Sequence, residues 1–160
     1  MSGRVSVLLV VLIFALDQYT KQLVMAAWEL GESLPLIPGF FSLTYVRNRG
    51  GAFGLFSDLP ESWRVAFFVV FAVATVGALV WMLRTTARND VVQRLALTAV
   101  IGGAIGNLWD RIRYGEVVDF LDVYVRDWHW PAFNVADSFI SCGVVLLILG
   151  SMLPARHDES

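Results

Sequence analysis

At 160 residues and a formal net charge of −2, the chain has the length of one domain and no charge excess to attract a nucleic acid. Its 57% hydrophobic and 16% charged residues, with a mean hydropathy of +0.64, exclude an ordinary soluble domain, where roughly a quarter of residues are charged. One cysteine, Cys142, and two distant histidines, His129 and His157, exclude an intrachain disulfide and the usual zinc cages, so any chemistry must run on carboxylates, amides and arginines.

The first apolar stretch covers about 5–25, close to the ~20 residues that cross a bilayer, and carries Asp17, Gln18, Lys21 and Gln22. Arg4 followed by VSVLLVVLIFAL has the outline of a signal peptide, with VMA at 24–26 as a cleavage site. The charges in DQYTKQ argue instead for a retained helix. Asp17 and Lys21 are four apart, which suits either a boundary ion pair with Lys21 snorkelling to water or a pair of site residues. A connection at about 27–63 follows. Within it FFSLTYVRN is strand-like, Gly50, Gly51 and Gly54 mark a turn, and Asn48 is either a turn residue or part of a site.

The second span, about 65–83, is the only one without a charged or amide side chain. A short loop with Arg84, Arg88 and Arg94 leads to the third, about 91–109. There Gly102 and Gly106 form a small-xxx-small pair that admits another helix, and Asn107 shares a face with Arg111. The next connection, about 110–132, opens with Asp110 and Arg111. Its EVVDFLDVYV alternates with a period near two and predicts a short half-buried strand carrying Asp119. The fourth span, about 133–153, begins with Asn134 and Asp137. Either residue could serve as a helix cap or first-turn acid, but ionisable groups at membrane depth cost roughly 2.5–3.5 kcal/mol and are usually kept for function.

The positive-inside rule places both termini and the Arg84–Arg94 loop in the cytoplasm. The two longer connections then face outward with Trp28, Trp63, Trp109, Trp128 and Trp130, an aromatic belt at one surface. Asp17, Asn48, Asn107, Asp110, Arg111, Asp119, Asn134 and Asp137 come from four separated segments and map to that same boundary, as the parts of one site would.

In this order, LDQYTK, NRGGAFG, GGAIGNLWDRIRYGEVVDF and FNVADS resemble the motifs of bacterial lipoprotein signal peptidase, the signal peptidase II family, over nearly the whole chain. The resemblance implies an all-α membrane protein: a four-transmembrane-helix bundle, residues 1–160 as a single integral membrane domain, with a small extracytoplasmic β-cradle and a short amphipathic helix near LPESWRVAF. It implies an aspartic endopeptidase of the inner membrane, its site near the outer face, that removes signal peptides from diacylglyceryl-modified prolipoproteins just before the lipidated cysteine. Asp119 and Asp137 correspond to the catalytic pair. Asp17, Asn48, Asn107, Asp110, Arg111 and Asn134 fall on supporting or substrate-contacting positions, and Lys21 and Gly50 belong to the same motifs. The family usually has alanine where this chain has Gly51. Expected partners are the prolipoprotein substrates, membrane lipid and globomycin-type inhibitors, with no metal, cofactor or nucleic acid.

Two rival functions fit parts of the same pattern. A small proton-coupled transporter would use Asp17, Asp119 and Asp137 as a relay, but it needs a path through the midplane, and these residues cluster at one face. A non-enzymatic assembly factor would use the acids only as caps and anchors.

Overall fold

A computed structural model describes residues 1–50 and 60–152. Among these residues four helices are long and apolar enough to cross a membrane: α1 (Gly3–Ala27), α2 (Glu61–Thr85), α3 (Val91–Tyr114) and α4 (Val135–Met152). Four strands lie between them: β1 (Ser33–Ile37), β2 (Phe41–Asn48), β3 (Val117–Val125) and β4 (Trp128–His129), ordered β1-β2-β3-β4 with antiparallel neighbours.

The central element is α3, which packs on α1, α2 and α4. Its glycines explain how. A Cβ on Gly102 would meet Ile13 of α1 at 2.9 Å, and one on Gly106 would meet the Asp17 carboxylate at 2.5 Å. These are the two glycines whose spacing predicted a close helix contact, and α1 is the helix admitted. Gly103, one residue round, faces α4, where a Cβ would lie 2.4 Å from the Ala136 carbonyl. By contrast Arg64 is the one buried residue of α2, whose side chains are otherwise half-buried against α3 or exposed, as on a helix with one lipid-facing side.

Each end of the bundle has its own chemistry. Where α1 begins, the Met1 ammonium meets the Arg88 carbonyl of the α2–α3 connection. There Asp90 caps α3 through the Gln93 N–H, and Arg94 donates to the Leu83 and Thr86 carbonyls left over at the end of α2. At the other end Trp63, Trp109, Trp128 and Trp130 are exposed around the sheet, in the arrangement expected of an interfacial belt.

Some boundaries differ from the sequence expectation. α3 runs past Trp109 to Tyr114, so Asp110 and Arg111 sit in its last turns, not in the connection. Gly115, at φ +73°, stops it as a left-handed cap. The segment expected to hold a separate amphipathic helix is, from Glu61 to Phe67, the start of α2. Leu59, Gly51, Phe53 and Gly54 lie outside the described residues. The strand in EVVDFLDVYV forms, but Val117 to Phe120 are all buried, because both sheet faces are covered there. Val118 and Phe120 pack with Val24 and Tyr45, and the opposite face meets the start of α4.

Gly103→Ala places a methyl against α4 backbone that cannot rotate away, so the expected cost is about 1–3 kcal/mol, read as a lower detergent melting temperature. Gly77→Ala on α2, where nothing lies within 4 Å, should leave it unchanged or raise it slightly.

Candidate active site

The site grows from a buried ammonium. Lys21 is 0% exposed, so it does not snorkel to water as the sequence allowed. Its Nζ lies 2.9 Å from Asp17 Oδ2, 2.9 Å from Asp110 Oδ2 and 3.0 Å from Asn107 Oδ1, one acceptor for each of its three N–H bonds. Asp17 Oδ1 accepts the Ala136 N–H of α4, and Asp110 Oδ2 accepts the Val118 N–H of β3. Gln18 Nε2 spans the two acids, 3.1 Å from Asp17 Oδ2 and 2.8 Å from Asp110 Oδ1. One cation and two anions thereby lock α1, α3, β3 and α4 together, with every charged atom hydrogen-bonded. Pairing of this kind is what makes ions at this depth tolerable.

The head of α4 is a reciprocal cap. Asn134 Oδ1 accepts the Asp137 N–H at 2.9 Å, and Asp137 Oδ2 accepts the Asn134 N–H at 3.2 Å. This is the capping-box arrangement built from an asparagine and an aspartate. The capping role open to both residues in the sequence is real, and it is also what aims them. Phe133 bonds Phe120 and Leu121 of β3, so the strand and the first turn of α4 are fixed to each other.

Asp119 and Asp137 are joined through neutral amides. Asp119 Oδ1 accepts from Asn134 Nδ2 at 2.7 Å, and its Oδ2 from Asn48 Nδ2 at 2.9 Å. Asp137 Oδ1 accepts from Asn107 Nδ2 at 2.7 Å, and its Oδ2 from the Asn134 N–H. Each of the four oxygens therefore accepts one N–H. The amide orientations follow from groups that can only donate. The Lys21 ammonium takes the Asn107 oxygen, the Asp137 N–H takes that of Asn134, and the Gly50 N–H takes that of Asn48. Every NH₂ group is left pointing at a carboxylate.

Asp119 is 1% exposed. Burial, and then the neighbouring Asp137 charge, push its carboxyl up to about 7, against the lowering effect of the Asn48 and Asn134 hydrogen bonds. Near neutrality Asp119 therefore still carries a proton part of the time.

Gly50 is fixed twice over. Its φ of +92° favours glycine, and a Cβ there would fall 2.4 Å from the Phe68 ring. Arg111 is attached more loosely, donating to the Asn107 carbonyl at 3.2 Å with its guanidinium 5.4 Å from the Phe68 ring centre. Thus Asp17, Lys21, Asn48, Gly50, Asn107, Asp110, Asp119, Asn134 and Asp137 form one hydrogen-bonded cluster, with Arg111 at its margin. Sequence reasoning noted Gln18 in the first span but gave it no part in the site, although an amide beside Asp17 in an apolar run was a signal for one. It also missed the Val118 and Ala136 backbone donors, which no side chain announces. Among the described residues no group of three or more His, Cys, Asp or Glu side chains is placed to hold a metal.

Comparisons with known proteins agree with this architecture. Residues 9–153 match the family model described as signal peptidase (SPase) II. The lipoprotein signal peptidase of Syntrophotalea carbinolica is 49% identical over 91% of this chain and 89% of its own length. That of Syntrophus aciditrophicus is 46% identical over 93% and 92%. A bacterial membrane enzyme solved by the in meso method at 1.9 Å resolution superimposes with a TM-score of 0.83 at 32% identity, covering 94% of each chain.

An acid weakened by folding costs stability where the unfolded chain would ionise it. The Asp119 contribution is absent below about pH 4, grows unfavourable as pH rises towards about 7, and is constant above. Thermal melts from pH 4 to pH 8 should therefore show a smaller alkaline loss of stability in Asp119→Asn than in wild type. Parallel curves would show that Asp119 titrates normally.

Proposed function

The chain belongs to the signal peptidase II family, and from that membership we propose that Asp119 and Asp137 are the pair with which it cuts signal peptides from diacylglyceryl-modified bacterial prolipoproteins. It is a multi-pass inner-membrane protein, and its activity is intramembrane proteolysis of lipoprotein signal peptides.

The observation that carries the dyad assignment is the ring of neutral donors. Each of the four carboxylate oxygens accepts one amide N–H, and among the described residues neither acid makes a salt bridge, Arg111 acting on them only from a longer range. One proton is then shared. The ionised acid removes a proton from water as the oxygen attacks the scissile carbonyl. The protonated acid hydrogen-bonds the carbonyl oxygen, and a proton passes to the leaving amine as the tetrahedral intermediate collapses. Asn48, Asn107 and Asn134 hold the dyad, Gly50 aims Asn48, and Lys21, Asp17 and Asp110 hold the frame. Arg111 keeps N–H groups beyond the one bonded to its own helix and is assigned to a substrate carbonyl or head group.

The lipidated substrate is assigned to a lateral approach between α2 and α4, which both pack on α3 but not extensively on each other. Globomycin-type inhibitors would occupy the same position. The termini and the α2–α3 loop, with its arginines, are assigned to the cytoplasm and the sheet end to the outer face. The polar cluster at that one end favours a protease over a proton-coupled transporter, which needs groups along the bilayer path.

Purified protein should cleave a diacylglyceryl-modified prolipoprotein peptide before the lipidated cysteine, at a rate unaffected by chelators. Asp119→Asn and Asp137→Asn should each lower turnover at least about 100-fold while keeping the helical circular dichroism of wild type. Activity should decline as pH rises beyond about 7, where Asp119 gives up its proton. Wild-type turnover by either variant would remove that residue from the chemistry.

A further inference from the structure

A second constellation lies on the sheet face turned away from the dyad. Arg47 of β2 shares a face with Tyr45 and Val118, whereas its neighbour Asn48 points to Asp119. Its guanidinium lies 4.8 Å from the centre of the Tyr114 ring, and that of Arg113 lies 5.1 Å from the same ring. Two cations are thus gathered on one aromatic ring. Arg47 gives Nε–H to the Tyr45 hydroxyl and one Nη2 hydrogen to Met25 Sδ, so three of the five N–H bonds of a guanidinium remain. Tyr114 accepts from Gln22 through its hydroxyl and keeps its own hydrogen to donate.

Neither arginine has a carboxylate partner among the described residues, and the nearby Glu116 is taken by Arg49. Two guanidiniums set against one ring, neither with an anion among the described residues, call for one from outside. The surroundings indicate its source. Trp109 and Ile112 of the same helix end are exposed on a lipid-facing surface, with the aromatic belt beside them, so the cluster lies at head-group depth.

We propose that Arg47, Arg113 and the Tyr114 hydroxyl form a binding site for the head-group phosphate of an anionic phospholipid. The bound lipid ties the sheet to the membrane surface and takes no part in the chemistry of the dyad on the opposite sheet face.

The test uses the full chain purified in detergent, titrated separately with phosphatidylglycerol and phosphatidylcholine, with retained lipid read by native mass spectrometry. Wild type should hold one phosphatidylglycerol about tenfold or more tighter than phosphatidylcholine. R47Q/R113Q should lose that preference while cleaving a detergent-solubilised lipidated peptide normally. Should the double variant fail to fold, R113Q carries the test alone, because the Arg113 guanidinium makes no hydrogen bond to a described residue. Undiminished phosphatidylglycerol retention by R113Q, or equal retention of the two lipids by wild type, overturns the site. If inorganic phosphate displaces phosphatidylglycerol from wild type at equal concentration, the cluster binds free phosphate and the lipid assignment falls.

Discussion

Burying one ammonium at the edge of a bilayer is the constraint from which the rest of this structure follows. Lys21 has no water to solvate it, so Asp17, Asp110 and Asn107 must surround it. Those three residues lie on α1 and α3; Asp17 reaches onward to α4 through its other oxygen, and Asp110 Oδ2, shared with Lys21, reaches β3. Removing one partner would leave a buried charge uncompensated, which costs far more than losing a surface pair. The helices are accordingly held where the charges are satisfied, and the glycines of α3 supply the room, Gly106 directly beneath the Asp17 carboxylate.

The same ammonium also sets a polarity. Because Lys21 can only donate, Asn107 must turn its oxygen inward and its NH₂ towards Asp137. Backbone N–H groups impose the same rule on Asn48 and Asn134. Asparagine is the side chain that can convert a fixed donor on one side into a fixed donor on the other without carrying charge. A lysine or arginine in any of these places would ion-pair with the neighbouring aspartate, and the proton that the proposed dyad shares would be lost. The Lys21 ammonium is therefore held one residue away from the two acids proposed as the dyad.

Much of this was legible in the sequence, and the exceptions have physical causes. Four apolar runs of spanning length gave the helices, and the polar residues clustered at one boundary gave the membership of the site. The end of α3 was misread because Asp110 and Arg111 resemble the charged start of a loop. Asp110 is instead bonded inward, and Gly115 stops the helix. Snorkelling is the default for a lysine near a helix end, and the acceptors that prevent it come mostly from residues more than 80 positions along the chain. Alternation in β3 implied one solvated face, whereas α1 and α4 cover both.

Nor could the pairing register of β2 with β3 be read from composition. Leu43 pairs with Leu121, but beyond an irregularity Val46 pairs with Asp119, so β2 contains one extra residue. Continued without that bulge, the ladder would set Tyr45 opposite Asp119 and carry Arg47 to its diagonal, on the same face. A guanidinium would then lie beside the carboxyl group, hold it ionised and leave no proton to share. The bulge turns Arg47 to the far face and brings Asn48 to the diagonal instead, where its NH₂ reaches Asp119 at 2.9 Å. One inserted residue in β2 thus separates an inert salt bridge from a pair of acids able to divide a proton between them.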